Sequence, residues 1–181
     1  MYATPCHKVK RPARNRPLLK RERGIQESET RPVAWRLFHR HDGAPVPKAR
    51  PRVSRSGFVY TPAKTRLYEE QLKASLTQTV FDNVDFALFP VDGAVRVDVL
   101  VELDIPKSWS KKKRAAGLAG EVVPVARPDL DNFVKTALDA ANGVVFRDDS
   151  QVVSLSAIKK YSPGAALTIT AAPFFLGEDR V

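Results

Sequence analysis

The sequence predicts a mixed α/β (α+β) domain in which one β-sheet carries two main helices on one side. Residues 94–105 alternate apolar and polar side chains with a period of two, which is typical of a strand with one buried face. Two other segments place apolar residues three and four apart, as helices that pack on a sheet do. Hydrophobic residues make up 43% of the 181 residues, which is enough for the core of one domain.

The remaining elements follow from turn and capping residues. Strands are predicted where β-branched or alternating residues lie between Gly, Pro, Asn and Asp, and helices where a cap precedes a periodic segment. The first half of the chain is predicted to contain a strand at 33–41, a hairpin at 50–62 with its turn at Ser56-Gly57, a helix from Pro62 to Thr79 capped by Thr61, and a loop at 81–93. The strand at 94–105 comes next, followed by a short helix from Ser110 to Leu118 and an amphipathic helix at 128–141 ended by Asn142-Gly143. The last elements are strands at 151–161 and 165–172, joined at 162–164.

Positive charge is distributed unevenly along the chain. The formal net charge is +10, and residues 1–32 hold nine Lys and Arg against three Glu. This segment has too few apolar residues to offset the entropy of ordering it. We therefore predict a disordered basic tail at 1–32, a folded domain at 33–176 and a short tail at 177–181. The basic tail either adds phosphate-binding charge or only increases solubility.

Several classes of protein are excluded by composition. No apolar run approaches the ~18 residues of a membrane span, and the N-terminus lacks the apolar segment of a secretory signal. The one cysteine, Cys6, builds neither a disulfide framework nor a cysteine metal site. The sequence contains no phosphate-binding loop, nucleophile elbow or dinucleotide fingerprint. We expect a cytoplasmic protein that does not enter a membrane.

Aspartates gather at both ends of the predicted helix at 128–141, although the chain is basic. Asp129 and Asp131 lie at its start, and Asp148 and Asp149 lie shortly after its end. If residues 144–146 return across the sheet edge, Asp149 would face the first pair. Three close carboxylates stay ionised only beside a cation, and hard oxygen ligands suit Mg²⁺ or Mn²⁺. Alternatively, Asp129 is a helix cap and the others are solvated surface residues.

Three segments together resemble a known family. They are RPDLDNFVKTALDAANGVVFRDDSQV at 127–152, PVPKARPRVSRSGFVYTPAKTRLYEE at 45–70 and IPKSWSKKKRAAGLAG at 105–120. The chain resembles the RusA-like Holliday junction resolvases, the crossover junction endodeoxyribonucleases of bacteria and prophages, over roughly residues 33–172. This resemblance implies a bacterial or phage-encoded homodimer of mixed α/β fold that cleaves DNA four-way junctions with Mg²⁺, in recombination and repair.

The resemblance also implies roles for single residues. Asp129, Asp131 and Asp149 match the metal-binding and catalytic carboxylates, and Lys135 matches the catalytic lysine. Asp148 is the neighbouring acid, and the choice between Asp148 and Asp149 as the direct ligand stays open. The implied reaction is an in-line hydrolysis that leaves a 5′-phosphate and a 3′-OH, and a symmetric dimer would make two paired nicks.

Basic residues outside this cluster are predicted to position the DNA. They lie on the extended segment before the hairpin, around Trp109 and just before the amphipathic helix: Lys48, Arg50, Arg52, Lys107, Lys111, Lys112, Lys113, Arg114 and Arg127. The segment around Trp109 is either a mobile DNA-contacting loop or a solvated charged helix with Trp109 packed beneath it. An alternative function is that of a non-catalytic prophage protein that binds branched DNA.

Overall fold

The computed structural model describes residues 35–82 and 86–175. Within these ranges the chain forms six strands and three α-helices, with short 3-10 turns at Phe86–Leu88 and Asp149–Gln151. The elements are β1 (Leu37–Asp42), β2 (Arg52–Val53), β3 (Val59–Tyr60), α1 (Ala63–Phe81), β4 (Val95–Asp104), α2 (Lys111–Leu118), α3 (Leu130–Ala141), β5 (Val152–Ser162) and β6 (Ala166–Pro173). The predicted tails at 1–32 and 177–181, and the domain boundaries at 33 and 176, lie outside the described residues.

Four of the strands form a mixed sheet in the order β1-β6-β4-β5. β4 and β5 are parallel, whereas β6 runs antiparallel to both β1 and β4. The strands β5 and β6 follow each other in sequence but do not pair, because β4 lies between them. The turn between them is held where the carboxylate of Asp104 accepts a hydrogen bond from the N–H of Ala165, at 3.0 Å.

The hydrophobic core lies between the sheet and the helices α1 and α3. Val95, Val97, Val99 and Val101 of β4 are buried, as the alternation of the sequence predicted. They meet two helical faces with apolar residues at steps of three and four, namely Tyr68, Leu72, Leu76 and Val80 on α1 and Phe133, Val134, Ala137, Ala140 and Ala141 on α3. The predicted mixed α/β fold is therefore confirmed, with α2 as a third helix.

Most predicted element boundaries agree with the structure to within two residues. The hairpin at 50–62 is present as β2 and β3, and Ser110 caps α2 by accepting the N–H of Lys113 at 3.3 Å. The prediction that Thr61 caps α1 is wrong, because the helix begins one residue later and Pro62, which has no side-chain acceptor, is at the cap. Among the described residues, no helix is long and apolar enough to cross a membrane.

A buried polar network joins β1 to α1. The Nδ1 atom of His39 lies 2.8 Å from the hydroxyl of Thr79, and the Ser75 hydroxyl lies 3.1 Å from Nε2 of His39 and 3.0 Å from Nδ1 of His41. The ring of His41 packs edge-on against Tyr68. Burial lowers the pKa of both histidines, so this network is adapted to neutral imidazoles. Both histidines thus have a structural place in the fold.

The opposite face of the sheet carries an ionic network. Glu102 of β4 is only 6% exposed, because the side chains of Arg40 and Lys160 lie over it from β1 and β5. Burial acts to raise the pKa of Glu102, but the hydrogen bonds from Arg40 and Lys160 outweigh it and hold that pKa below its ordinary value. A buried carboxylate is stable here because two cations satisfy it.

Candidate active site

An open pocket of about 640 Å³ lies at the start of α3. Its walls come from the start of α3, from the loop before it and from the extended segment before β2. Two carboxylates and four cationic groups line it: Asp129 and Asp131, with Lys48, Arg50, Arg127 and Lys135; Pro128 and Asn132 complete it. The structure brings six of the predicted site residues together in this pocket.

The two carboxylates of this pocket are held at the helix N-terminus. Asp129 is the N-cap residue in an extended conformation, yet its side chain makes no capping hydrogen bond. Asp131 lies in the first turn, where the helix dipole favours a negative charge. Its carboxylate is 3.2 Å from Nζ of Lys135, but both side chains are more than half exposed, so this pair adds little stability. Both carboxylates are therefore available to a ligand.

The pocket is fixed to the sheet by one lysine. Nζ of Lys159 on β5 donates hydrogen bonds to the carbonyl oxygens of Ala126 and Pro128, at 3.0 and 2.8 Å. These bonds hold the loop that precedes α3 near the carboxyl ends of β4 and β5. That end of a parallel strand pair is where ligands commonly bind in α/β proteins.

Asp148 and Asp149 lie in a turn at the opposite end of α3. The carboxylate of Asp148 caps this turn by accepting the N–H of Ser150 at 3.0 Å, and its hydrogen bonds with the Ser150 side chain and backbone lower the pKa of Asp148. The side-chain oxygen of Gln151 accepts the N–H of Asp148, and its amide nitrogen donates to the carbonyl oxygens of Val91 and Gly93. Both aspartates are exposed, but the carboxylate of Asp148 is engaged by its own turn.

The expectation that Asp149 faces Asp129 and Asp131 within one chain is wrong. α3 has 12 residues and therefore rises about 18 Å. It runs from the carboxyl ends of the parallel strands to their amino ends, so the turn before β5 begins where α3 finishes. Among residues 35–82 and 86–175, no group of three His, Cys, Asp or Glu side chains is placed to hold a metal ion. One chain supplies two of the predicted carboxylate ligands in one place.

The predicted DNA-binding residues of the 48–52 segment differ in their surroundings. Arg50 lines the pocket, and Arg52 is exposed on β2. Lys48 instead bridges α1 and α3, with its Nζ 2.7 Å from both Glu69 and Asp139. Burial acts to lower the pKa of Lys48, but its hydrogen bonds to Asp139 and Glu69 raise it overall. Its charge is therefore largely engaged in ion pairs that hold this segment against the helices. The backbone N–H of Lys48 also holds the segment there, because it donates a hydrogen bond to the carbonyl of Asn132, at 2.8 Å.

The basic segment around Trp109 forms a short helix over a packed ring. Trp109 contacts Tyr161 of β5 edge-on, with ring centroids 4.9 Å apart, and Nζ of Lys113 lies 4.2 Å above its ring. Lys111 and Lys112 are exposed on the first turn of α2. The segment thus has a defined conformation with Trp109 beneath it. The roles of Lys107, Lys111, Lys112 and Lys113 in DNA binding remain predictions.

Sequence reasoning missed residues that support the site. Asn132 lines the pocket and follows Asp131 in the motif, so its position alone could have suggested a role. Glu69, Asp139 and Lys159 act through contacts between distant elements. No local pattern in the sequence reveals those contacts.

The chain is similar to known proteins over much of its length. A family model described as Endodeoxyribonuclease RusA matches residues 42–171. The chain belongs to the RusA endodeoxyribonuclease family. It is also 38% identical over 125 residues to the uncharacterized protein YqaN of Bacillus subtilis (strain 168), and this match covers 66% of the chain and 84% of YqaN.

Membership of the RusA family confirms the resemblance found in the sequence. It implies endodeoxyribonuclease activity and the binding of branched DNA junctions, and RusA nucleases generally depend on divalent metals. The matched region contains the pocket, both aspartate pairs and the hairpin of β2 and β3.

Proposed function

We propose that this chain is a divalent-metal-dependent, structure-selective endodeoxyribonuclease that resolves Holliday junctions by paired symmetric nicks, in DNA recombination and repair. One observation carries the proposal: the available carboxylates of Asp129 and Asp131 share a pocket with Lys135 and two arginine side chains. Metal-assisted phosphodiester hydrolysis uses this combination, because carboxylates bind a cation and cationic groups bind the phosphate. The RusA family supplies the substrate class, which is branched DNA.

The donor atoms of the pocket fit Mg²⁺ or Mn²⁺. Mg²⁺ commonly takes one or two carboxylates and completes its shell with waters and substrate phosphates. Asp129 and Asp131 supply two carboxylates, and neither is occupied by a capping bond. When bound, such a cation would polarise the scissile phosphate and activate a water.

The other residues of the pocket act on the phosphate. Lys135 is one helical turn from Asp131, where its ammonium group would stabilise the negative charge that builds on the phosphoryl oxygens in the transition state. Arg50 and Arg127 would bind the neighbouring phosphates and fix the strand in the pocket. The 3′ oxygen leaves, so the products carry a 5′-phosphate and a 3′-OH.

Asp149 would reach the pocket only from a second copy of the chain. We propose a homodimer in which Asp149 of each copy completes the carboxylate set of the other, because α3 separates the two aspartate pairs within one copy by about 18 Å. A two-fold interface makes such an exchange reciprocal, so both sites are completed at once. Asp149 suits this role better than Asp148, whose carboxylate caps its own turn.

The function is tested with a synthetic four-way junction and Mg²⁺. The unaltered protein should give paired symmetric nicks. Asp131→Asn should abolish cleavage and retain junction binding, because it removes a cation ligand and a charge that repels phosphate. Asp98→Asn is the matched control, since Asp98 lies on a different element of the fold, in β4, and should leave cleavage unchanged.

Two results would contradict the proposal. Full cleavage by the Asp131→Asn variant would reject the metal-site assignment. Junction binding by the unaltered protein without any nicks would favour the alternative, a non-catalytic protein that binds branched DNA.

A further inference from the structure

The hairpin of β2 and β3 exposes apolar and aromatic side chains on both of its faces. Phe58, Val59 and Val53 are 74%, 69% and 67% exposed, and Tyr60 is also exposed. In an antiparallel pair, residues in register project to the same side. Arg52 is in register with Tyr60, and Val53 with Val59. One side of the hairpin therefore presents an arginine next to an aromatic ring, and the other side is aliphatic.

The turn of this hairpin has a defined shape although little covers it. The N–H of Ser54 donates to the carbonyl of Phe58 at 2.8 Å, and the hydroxyl of Ser54 accepts the N–H of Phe58 at 3.1 Å. Gly57 has a φ of +82°, a conformation that side chains rarely adopt. Phe58 is thus held in place at the turn while its ring stays in solvent, which ordinarily costs free energy unless a partner covers it.

The charge around the hairpin identifies the kind of partner. Residues 43–68 contain six Lys and Arg and no acid. Lys48 and Arg66 have carboxylate partners, whereas Arg50, Arg52 and Arg55 have none among the residues that the structure describes. Arginines interleaved with exposed aromatic rings are typical of surfaces that bind single-stranded or unpaired nucleic acid, because the rings stack on bases while the cations bind phosphates.

The hairpin is continuous with the proposed catalytic pocket. Arg50 lines the pocket, and β2 begins two residues later. A DNA strand held by Arg50 and Arg127 would therefore pass the hairpin directly beside the scissile phosphate. The branch point of a four-way junction is where bases most readily lose a stacking neighbour.

We propose that the hairpin recognises the branch point, with Phe58 and Tyr60 stacking on bases that are unstacked beside the cleaved phosphate. This inference rests on the proposed function and deepens it, because it assigns selectivity for branched over linear DNA to a surface separate from the carboxylates. Arg52 would bind a phosphate next to the stacked base. Such a contact provides affinity without reading sequence.

The test measures binding without Mg²⁺, so that cleavage does not enter. A four-way junction with 2-aminopurine at its branch point, and a linear duplex of the same sequence, are titrated with the unaltered protein, Phe58→Ala, Phe58→Trp and Phe38→Ala. Phe38 is a matched control because it is a similarly exposed phenylalanine, at 62%, on another strand.

Phe58→Ala should weaken junction binding by roughly 5- to 150-fold, the range of one base–aromatic stack, and should abolish the 2-aminopurine fluorescence change. Duplex binding should change less than about 2-fold, and Phe58→Trp should restore both signals because tryptophan stacks at least as well. The dependence of binding on salt should stay the same in Phe58→Ala and decrease by about one phosphate contact in Arg52→Ala.

Three results would overturn the inference. The first is equal junction binding by Phe58→Ala and Phe38→Ala, and the second is an equal loss of affinity for junction and duplex in Phe58→Ala. The third is a change in the oligomeric state of Phe58→Ala, which would identify a second protein chain as the partner. Stacking that persists in a protein that never nicks DNA would leave the inference standing and reject the proposed nuclease. The two failures are therefore distinguishable.

Discussion

The separation of the two aspartate pairs makes a subunit-mixing experiment decisive. In the proposed dimer, Asp129 and Asp131 of one copy meet Asp149 of the other. We therefore consider two variants, Asp131→Asn and Asp149→Asn, which should each be inactive as homodimers. A heterodimer of the two has one site that carries both substitutions and one site that is fully intact.

The size of the effect follows from the structure. α3 rises about 18 Å over its 12 residues, whereas a shared cation requires ligand oxygens about 2.1 Å from the metal. Asp149 therefore contributes nothing to the pocket of its own chain. Random exchange of subunits makes half of the dimers mixed, each with one working site, so nicking should return to about a quarter of the unaltered rate.

The assay uses a four-way junction labelled on two opposing strands, after the two variants are mixed at equal concentration and allowed to exchange. Single nicks should appear, whereas paired nicks should not, because each mixed dimer has only one site. A mixture of Asp129→Asn with Asp131→Asn is the control and should stay inactive, since both substitutions affect the same half of every site. If the first mixture is also inactive, or if Asp149→Asn alone cleaves normally, the reasoning about the shared site is refuted.

Two further predictions concern stability. Phe133→Ala should lower the free energy of unfolding by about 3–5 kcal/mol in urea denaturation, because Phe133 is 1% exposed in the core. The control is Leu67→Ala on the exposed side of α1, which should change the free energy of unfolding by less than about 0.5 kcal/mol. Equal effects of the two substitutions would contradict this account of the core. Burial lowers the pKa of His39 from its ordinary value of 6.5. The unfolded chain therefore takes up a proton at a higher pH than the folded chain does. As a result, the free energy of unfolding should fall as the pH drops below about 6.5. His39→Gln should flatten this dependence in thermal unfolding, and an unchanged pH profile in that variant would show that other groups cause it.

Much of the fold could be predicted because its signals are local. The alternation of apolar and polar residues in β4 predicts one buried face, and the serine before α2 predicts a helix cap. The spacing of apolar residues in α3 predicts a helix that packs against the sheet. Each of these features depends on residues a few positions apart. The structure agrees with all three for that reason.

The candidate site could be predicted only in part, because half of it depends on chain direction. The clustering of Asp129 and Asp131 with Lys135 follows from their places on one helix. The position of Asp149 depends on α3 running against β5, which no pattern within residues 127–152 reveals. The double ion pair of Lys48 joins three separate elements, so the sequence alone predicts a cation that is free to bind DNA.

The pocket lies near the carboxyl ends of the parallel strands β4 and β5. β4 and β5 end beside the loops that precede α2 and α3, and Lys159 of β5 fastens the second loop to the sheet through the backbone carbonyls of Ala126 and Pro128. Changes at the exposed positions within residues 105–110 and 119–127 would therefore alter the surface beside the pocket at little cost in stability. If the chain cuts DNA as proposed, changes in these loops would alter where it cuts while the sheet and its two packed helices stay the same.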